Sequence, residues 1–189
     1  MDKEPEKMNT IELFPTLFFE TYINTQLAID ILSEIKKKEP EIRNISEASQ
    51  SQPIKDYSTD FCHPVEIELF DRFVTEHMCK EFKKINYDVE MKNSWVSCYT
   101  GAHGAHAMHN HSKGWNGNGE YACILYLSDI GKTDFFNTSL ISDNYIKSIK
   151  SRMGKVIVFP GIIPHQFVVD KYDGNSRYTL AFNISLTKS

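Results

Sequence analysis

The first half of the chain contains two segments in which apolar residues recur at helical spacing. The first would begin after a capping residue, Asn24 or Thr25, and end at Pro40, because proline cannot continue the helical hydrogen-bond pattern. Its apolar face consists of Leu27, Ile31, Leu32 and Ile35. The second would span residues 63–86, with an apolar side chain at every fourth position: Phe70, Val74, Met78 and Phe82. We therefore predict two helices, separated by a polar loop over residues 43–60.

Short β-like runs lie on both sides of these helices. Residues 1–9 would form a disordered tail, and residues 11–20 predict one strand in which Pro15 marks an edge or a bulge. Beyond residue 93, apolar runs separated by turn residues occupy 94–99, 121–127, 133–136, 155–160, 165–169 and 177–186. No helical pattern interrupts the later runs, so we expect antiparallel pairing. The predicted fold class is α+β, with a β-sandwich or barrel as its main body.

Length and composition fit this architecture. The chain has 189 residues, of which 41% are hydrophobic, and this suits a single domain over residues 1–189. Its net charge of -4 gives no basic signature of a nucleic-acid groove. The four cysteines are widely spaced and predict buried free thiols. The charged N-terminus lacks the apolar core of a signal peptide and no apolar run is long enough for a membrane span, so we expect a cytoplasmic protein.

Histidine is concentrated in one segment, GAHGAHAMHNHS. Four of the seven histidines lie there: His103, His106, His109 and His111. In a strand His109 and His111 would project from the same face, which makes half of a metal site. A further ligand must come from elsewhere, and His165 is a candidate because the glycine and prolines of FPGIIPH would fix its direction. We expect His109, His111 and His165 to converge on one point.

The last run, RYTLAFNISL, separates two kinds of side chain. Its large apolar residues, Tyr178, Leu180, Phe182, Ile184 and Leu186, share one face, which should pack on the helices. The other face is small and polar and begins with Arg177. An arginine on such a face suits an interior that binds a carboxylate. The pattern is equally compatible with Arg177 on the solvent face of an edge strand.

The order of these residues resembles a known family. Paired histidines, then a distal histidine, then an arginine twelve positions later (177 − 165 = 12) are similar to the iron(II)- and 2-oxoglutarate-dependent oxygenases. The phage and bacterial branch, distantly related to prolyl hydroxylases, is the more similar part of that family. The matching segments are LFPT at 13–16, Trp95 to Gly101, Tyr126-Leu127, Gly154 to His165 and Arg177 to Ile184. The resemblance covers residues 94–186 and, more weakly, the N-terminal segment.

The resemblance implies a fold, a reaction and a set of roles. The fold would be a double-stranded β-helix, or jelly roll, with a tail, a strand and two flanking helices over 1–92 and the oxygenase core over 93–189. Three histidines, His109, His111 and His165, would bind Fe(II). The far carboxylate of 2-oxoglutarate would pair with Arg177, with Thr179 or Tyr99 adding a hydroxyl group. O2 would be consumed, and succinate and CO2 released.

One position departs from most of the wider family, which has Asp where this chain has His111, although the branch that the chain most resembles often carries His there. A non-enzymatic jelly-roll binding protein and a three-histidine dioxygenase of the cupin type therefore stay as alternatives. The loop 112–120 would lie beside the metal, where Trp115 could contact a substrate, and His106 could line the same site. The substrate would be a small molecule, a protein side chain or a nucleobase. Neither the substrate nor the oligomeric state follows from the sequence.

Overall fold

The computed structural model describes residues 9–13, 16–49, 59–64, 67–99, 108–111, 121–137, 146–168 and 175–189. Helix α1 spans Thr25–Ser49, and a second helical stretch comprises α2 (Glu68–Arg72), a π-helical turn (Phe73–Met78) and α3 (Cys79–Lys83). The strands are β1 (Asn9–Leu13), β2 (Thr16–Tyr22), β3 (Thr59–Pro64), β4 (Tyr87–Tyr99), β5 (Tyr121–Tyr126), β6 (Lys132–Phe136), β7 (Ile146–Lys150), β8 (Lys155–Pro160), β9 (His165–Val168) and β10 (Arg177–Lys188). This is the α+β organisation that the sequence predicts.

The strands form two antiparallel sheets. The larger sheet has the order β1-β2-β8-β5-β10-β4-β3, and the smaller has the order β7-β6-β9. A short extended segment at residues 108–111 continues the smaller sheet, because His109 pairs with His165 on the outer side of β9. Many neighbours in these sheets are distant in the chain, as β8 and β5 are, so the sheets form by long-range pairing.

The helices pack on the outer face of the larger sheet. This outer core includes the buried residues Ile31 and Ile35 of α1, Phe70 and Phe82 of the second helical stretch, and alternate residues of β10. Phe70 meets Phe182 edge-on, with ring centroids 4.9 Å apart. The predicted apolar face of the last strand therefore packs on the helices, as expected.

A second core lies between the two sheets. Its residues are Phe18, Ala122, Ile124, Tyr126, Phe135, Ile157, Phe159 and Ile163. Phe135 comes from the smaller sheet and contacts Phe18 and Phe159 of the larger one, with centroids 5.1 and 4.9 Å apart. The sheets thus face each other, and part of the space between them is apolar.

Helix α1 continues past Pro40, so the predicted end at that proline was wrong. Proline removes one main-chain donor and strains the preceding turn, but its backbone angle is compatible with a helix. The following sequence, EIRNISEAS, contains no glycine or further proline to end the helix. The predicted loop 43–60 was consequently wrong at both ends: residues 43–49 are helical and β3 begins at residue 59.

The second helical stretch begins five residues later than predicted. Residues 63 and 64 belong to β3, and the helix starts at Glu68. All four residues of its predicted apolar face are buried: Phe70, Val74, Met78 and Phe82. A spacing of four departs from the α-helical period, and the wider π-helical turn at 73–78 keeps the four side chains on one face.

Three strand predictions need correction. The single strand expected at 11–20 is a pair, β1 and β2, in which Leu13 lies opposite Thr16. Strand β4 begins at Tyr87 instead of residue 94, because the first half of this strand pairs with the C-terminal half of β10. Strand β7, with the sequence IKSIK, was not predicted because only two apolar residues mark it. Pro15 lies outside the described residues.

The other predicted strands are confirmed, with small changes at their ends: β5, β6, β8, β9 and β10. Three cysteines are free thiols, and Cys98 and Cys123 are buried. Burial raises the pKa of the Cys123 thiol well above its ordinary value. In the part of the chain that the structure describes, no helix has the length and apolar character needed to cross a bilayer.

Candidate metal centre

Main-chain pairing places three histidines side by side. The His109 N–H donates to the carbonyl of His165 at 3.0 Å, and the His165 N–H donates to the carbonyl of His109 at 2.9 Å. Residues that exchange both hydrogen bonds lie directly opposite each other in an antiparallel pair, with their side chains on one side. His111 follows two positions later, so it projects from the same face, and its N–H donates to the Gly161 carbonyl at 2.7 Å.

The three imidazole rings converge as the sequence predicts. One ring nitrogen from each of His109, His111 and His165 lies within 4.8 Å of the other two. The ring centroids are 5.4 Å apart for His109 and His111, 4.4 Å for His109 and His165, and 5.1 Å for His111 and His165. Metal–nitrogen bonds are about 2.0 to 2.1 Å long, so two ligands of one ion lie at most about 4.2 Å apart, and the three nitrogens would share an ion after small rotations of their rings.

His165 is oriented by its surroundings. Its ring is 4% exposed and packs against Phe159 and Phe135, with centroids 4.8 and 6.0 Å away. Its Nδ1 lies 3.1 Å from the Ile163 carbonyl oxygen. A carbonyl only accepts, so Nδ1 carries the proton and donates, and Nε2 keeps the lone pair that a metal needs.

His111 is half-buried and contacts Trp95 on one side, with centroids 5.4 Å apart. Its Nδ1 lies 2.7 Å from Oδ1 of Asn183. Burial lowers the pKa of His111 below the ordinary value, the Asn183 hydrogen bond opposes this shift, and His109 adds to it. The neutral imidazole, which is the metal-binding form, is therefore favoured at neutral pH.

No carboxylate joins the histidines in the described part of the chain, where the candidate cluster consists of the three imidazoles alone. The donor set suits a borderline divalent ion such as Fe(II), Ni(II) or Zn(II), since imidazole nitrogen binds all of them. His103, His106 and Trp115 lie outside the described residues, so the predicted contributions of His106 and Trp115 to the site stay predictions.

Arg177 lies in the same interior, on the inner face of β10. It is 3% exposed, and its guanidinium carbon lies 3.5 Å from the ring centroid of Phe167. The rings of Tyr99 and Tyr126 are 5.3 and 5.6 Å away, so aromatic side chains surround the cation. The alternative of Arg177 on a solvent-exposed face is therefore excluded.

The charge of Arg177 is not balanced by an acidic side chain within the described residues. Its Nη1 donates to Oγ1 of Thr179 at 3.5 Å, and its buried Nε has no hydrogen-bond partner among the described residues. Burial lowers the pKa of Arg177 to about 10, so the group stays cationic at neutral pH. A buried cation without a counter-ion is unfavourable, and a bound carboxylate would supply the missing charge and acceptors.

The structure brings the two predicted neighbours of Arg177 to it. Tyr99 lies opposite Arg177 in the β4–β10 pair and is 6% exposed, and Thr179 is two residues along the same strand. Sequence reasoning missed two further residues: Tyr126 donates its hydroxyl to Oγ1 of Thr133 at 2.7 Å, and both are buried. Burial raises the pKa of Tyr126 to about 12, so its hydroxyl stays protonated.

The signal for Tyr126 lay in strand register. It pairs with Thr179 across β5 and β10, which places it on the inner face beside Arg177. Register of this kind joins residues 53 positions apart (179 − 126 = 53) and cannot be read from the local pattern. Thr133 lies on β6 in the facing sheet, so its contact with Tyr126 also depends on how the two sheets pack and cannot be read from the local sequence.

No protein-family model and no curated protein sequence matches this chain. Solved structures do. A Pseudomonas putida prolyl-4-hydroxylase is 16% identical with a TM-score of 0.59, over 88% of this chain and 91% of that one. The protein has the fold of the iron(II)- and 2-oxoglutarate-dependent oxygenases. This fold is the double-stranded β-helix that the resemblance implies.

Two further structures with this double-stranded β-helix are similar. A prolyl hydroxylase from Trichoplax adhaerens, solved with a hypoxia inducible factor oxygen degradation domain peptide, is 12% identical with a TM-score of 0.60, over 88% of this chain and 82% of that one. HygX from Streptomyces hygroscopicus, solved with nickel and 2-oxoglutarate bound, is 12% identical with a TM-score of 0.58, over 90% of this chain and 82% of that one. At these identities the likeness establishes the fold.

Proposed function

We propose that this protein is an iron(II)- and 2-oxoglutarate-dependent oxygenase that oxidises a C–H bond of an organic substrate. One observation carries the proposal: Arg177, a buried cation with no acidic partner among the described residues, shares an interior with a cluster of three histidines. A histidine cluster alone would suit many metal proteins. A histidine cluster beside an unpaired arginine suits a metal reaction that also uses a carboxylate.

The residues fit both groups. His109, His111 and His165 would hold Fe(II) through ring nitrogens, and the hydrogen bond of His165 to Ile163 already presents its Nε2. Arg177 would pair with the far carboxylate of 2-oxoglutarate, and Thr179 and Tyr99 would add hydroxyl groups. Tyr126, whose ring lies 5.6 Å from the Arg177 guanidinium, adds a further hydroxyl group, which is hydrogen-bonded to Thr133.

When bound, Fe(II) and 2-oxoglutarate supply the oxidation: O2 is consumed, one oxygen atom enters succinate as CO2 leaves, and the other enters the substrate. The side chains of the protein bind and orient these groups and exclude water from them. Phe135 and Phe159 cover His165, and Phe167 covers one face of the Arg177 guanidinium. In such a dry site the attraction between an arginine and a carboxylate is much stronger than in water.

The substrate class is part of the proposal only in outline: a small molecule, a protein side chain or a nucleobase. The Trichoplax adhaerens prolyl hydroxylase, which has this fold, was solved with a peptide. We further propose that the protein acts in the cytoplasm, where its buried thiols Cys98 and Cys123 would stay reduced.

Formation of succinate tests the proposal. Anaerobically prepared protein is mixed with Fe(II), ascorbate and 2-oxoglutarate, air is admitted, and succinate is measured by mass spectrometry. Slow turnover without the substrate is sufficient for the comparison. The wild type should form succinate, His165→Ala should form none because the metal is lost, and Arg177→Ala should form little because the acid is not held.

Matched controls come from the second helical stretch. Arg72→Ala removes an arginine whose side chain is 61% exposed, and His77→Gln removes a histidine from the π-helical turn. Both should behave as the wild type. O2 uptake without succinate would favour the three-histidine dioxygenase, and neither O2 uptake nor succinate in an Fe(II)-loaded protein would favour the non-enzymatic binding protein.

A further inference from the structure

We infer that Asn183, held in place by Asn93, is a positioning residue that fixes the tautomer of His111 and so lets this imidazole act as a metal ligand. The inference rests on the proposed metal centre and deepens it. It concerns the one ligand position at which the chain carries an imidazole and the wider family a carboxylate.

Two side-chain amides and one imidazole form a chain of hydrogen bonds. Asn183 on β10 and Asn93 on β4 lie opposite each other in the antiparallel pair. Nδ2 of Asn183 donates to Oδ1 of Asn93 at 2.8 Å, which turns Oδ1 of Asn183 towards the ring of His111. The distance from that oxygen to Nδ1 of His111 is 2.7 Å.

The donor-to-acceptor direction of these hydrogen bonds decides which ring nitrogen of His111 carries the proton. An amide oxygen only accepts, so Nδ1 of His111 must carry the proton and donate to Asn183. A neutral imidazole has one ring proton, and Nε2 is then left with its lone pair. Asn183 is 5% exposed, so solvent water offers little competition for this contact.

The same three side chains have a second self-consistent arrangement. If both amides turned over, Nδ2 of Asn183 would donate to Nδ1 of His111, and Nε2 would carry the proton. A protonated Nε2 cannot bind a metal, so the two arrangements differ in whether His111 is a ligand. The structure has the competent arrangement, in which Nδ2 of Asn183 donates to Oδ1 of Asn93 and Oδ1 of Asn183 faces the ring of His111.

The proton is held on Nδ1 by different acceptors in His165 and in His111. His165 donates to the main-chain carbonyl of Ile163, an acceptor that cannot be reversed by rotation of a side chain. His111 donates to a side-chain amide, which can be reversed by rotation. A carboxylate ligand has no tautomer to fix, so an imidazole at position 111 needs a partner that an aspartate there would not. Asn183 is that partner, and such partners typically change metal affinity 10- to 100-fold.

The test compares Asn183→Asp with Asn183→Leu. Asp accepts only and should keep the His111 proton on Nδ1, whereas Leu has a similar size and cannot accept. Histidine tautomers are assigned in metal-free, 15N-labelled protein from long-range 1H–15N spectra, and Fe(II) affinity is measured anaerobically by competition with a chromophoric chelator. Thr187→Leu, at the exposed end of β10, is the control.

The wild type and Asn183→Asp should show the Nδ1–H tautomer of His111, with Fe(II) affinity in Asn183→Asp equal to or tighter than that of the wild type. Asn183→Leu should move the proton towards Nε2 and weaken Fe(II) binding about 10- to 100-fold. Asn93→Leu, which leaves the amide of Asn183 free to turn, should populate both tautomers.

An Nε2–H tautomer in the wild type would overturn the inference, and so would unchanged tautomer and affinity in Asn183→Leu. If Asn183→Leu does not fold, loss of the Nδ1–H tautomer in Asn183→Asp overturns it as well. Neither readout involves 2-oxoglutarate, so a failure of succinate formation would contradict the proposed function alone.

Discussion

Arg177 is a buried cation that the described residues surround with aromatic rings and hydroxyl groups and not with acidic side chains. Contact with an aromatic face offsets only part of the lost hydration of a guanidinium. The remaining imbalance is the reason to expect an anionic ligand at this residue. Removal of this charge should therefore not destabilise the free protein, but it should reduce the stabilisation that the bound acid provides.

Arg177→Leu should leave the free energy of unfolding of the unliganded protein unchanged within about 1 kcal/mol or raise it, since an unpaired buried charge is removed. With metal present, 2-oxoglutarate at 100 times its Kd should stabilise the wild type by about 2.7 kcal/mol. The variant should gain far less, because loss of one partner of a desolvated charge pair weakens binding by about 2 to 5 kcal/mol. Chemical denaturation with and without 2-oxoglutarate measures both effects. Equal stabilisation of the two proteins would show that Arg177 does not bind the acid.

At the scale of elements, β10 contributes side chains both to the outer core and to the polar interior that holds the histidines. Its residues alternate between the outer core and the polar interior, so Phe182 packs under Phe70 while its neighbours Ala181 and Asn183 face inward. The alternation was readable from the sequence because it is local. The residues that meet β10 from β4 and β5 were not, because strand pairing brings them from distant parts of the chain.

The helices show a related limit. The apolar face Phe70, Val74, Met78 and Phe82 was predicted, but the π-helical turn that keeps it aligned was not, although the strict spacing of four was its signal. Helix α1 continues through Pro40, although a proline at this position predicts the end of a helix. Proline weakens one turn of a helix, and the residues on either side decide whether the helix ends.

Pro40→Ala should therefore stabilise the protein. Alanine restores a main-chain donor inside α1 and removes the clash with the preceding turn, which together exceed the small gain in freedom of the unfolded chain. We expect the free energy of unfolding to rise by about 1 to 3 kcal/mol. Lys37→Ala, on the exposed side of the same helix, should change it by less than about 0.5 kcal/mol. A less stable Pro40→Ala protein would mean that the proline bends α1 to fit its packing.

At the scale of the whole molecule, the two cores have separate tasks. The outer core joins the helices to the larger sheet, and the inner core supports the histidines. The α+β class and the convergence of the three histidines followed from periodicity, turn residues and same-face spacing, and the jelly-roll fold followed from the resemblance of the ordered motifs to a known family. The Tyr126–Thr133 and Asn93–Asn183 pairs did not, because each requires the sheet register.

This separation predicts different consequences for two phenylalanines. Phe82→Ala in the outer core and Phe159→Ala in the inner core should each lower the free energy of unfolding by about 3 to 5 kcal/mol. Only Phe159→Ala should also weaken Fe(II) binding, because Phe159 packs against the ring of His165. Denaturation curves and Fe(II) titrations at a temperature where both variants are folded distinguish the cases. Equal Fe(II) affinities in the two variants would contradict the division of tasks.

The central claim is that one interior holds Fe(II) and 2-oxoglutarate together. Chelation of Fe(II) by a 2-oxo acid gives a visible charge-transfer band, so anaerobic absorption spectra of the protein with Fe(II) and increasing 2-oxoglutarate test the claim without a substrate. The account predicts a saturable band in the wild type, a band in Arg177→Leu only at much higher 2-oxoglutarate, and no protein-dependent band in His165→Ala. An Fe(II)-loaded wild type that shows no such band, or the same titration curve in wild type and Arg177→Leu, would contradict it.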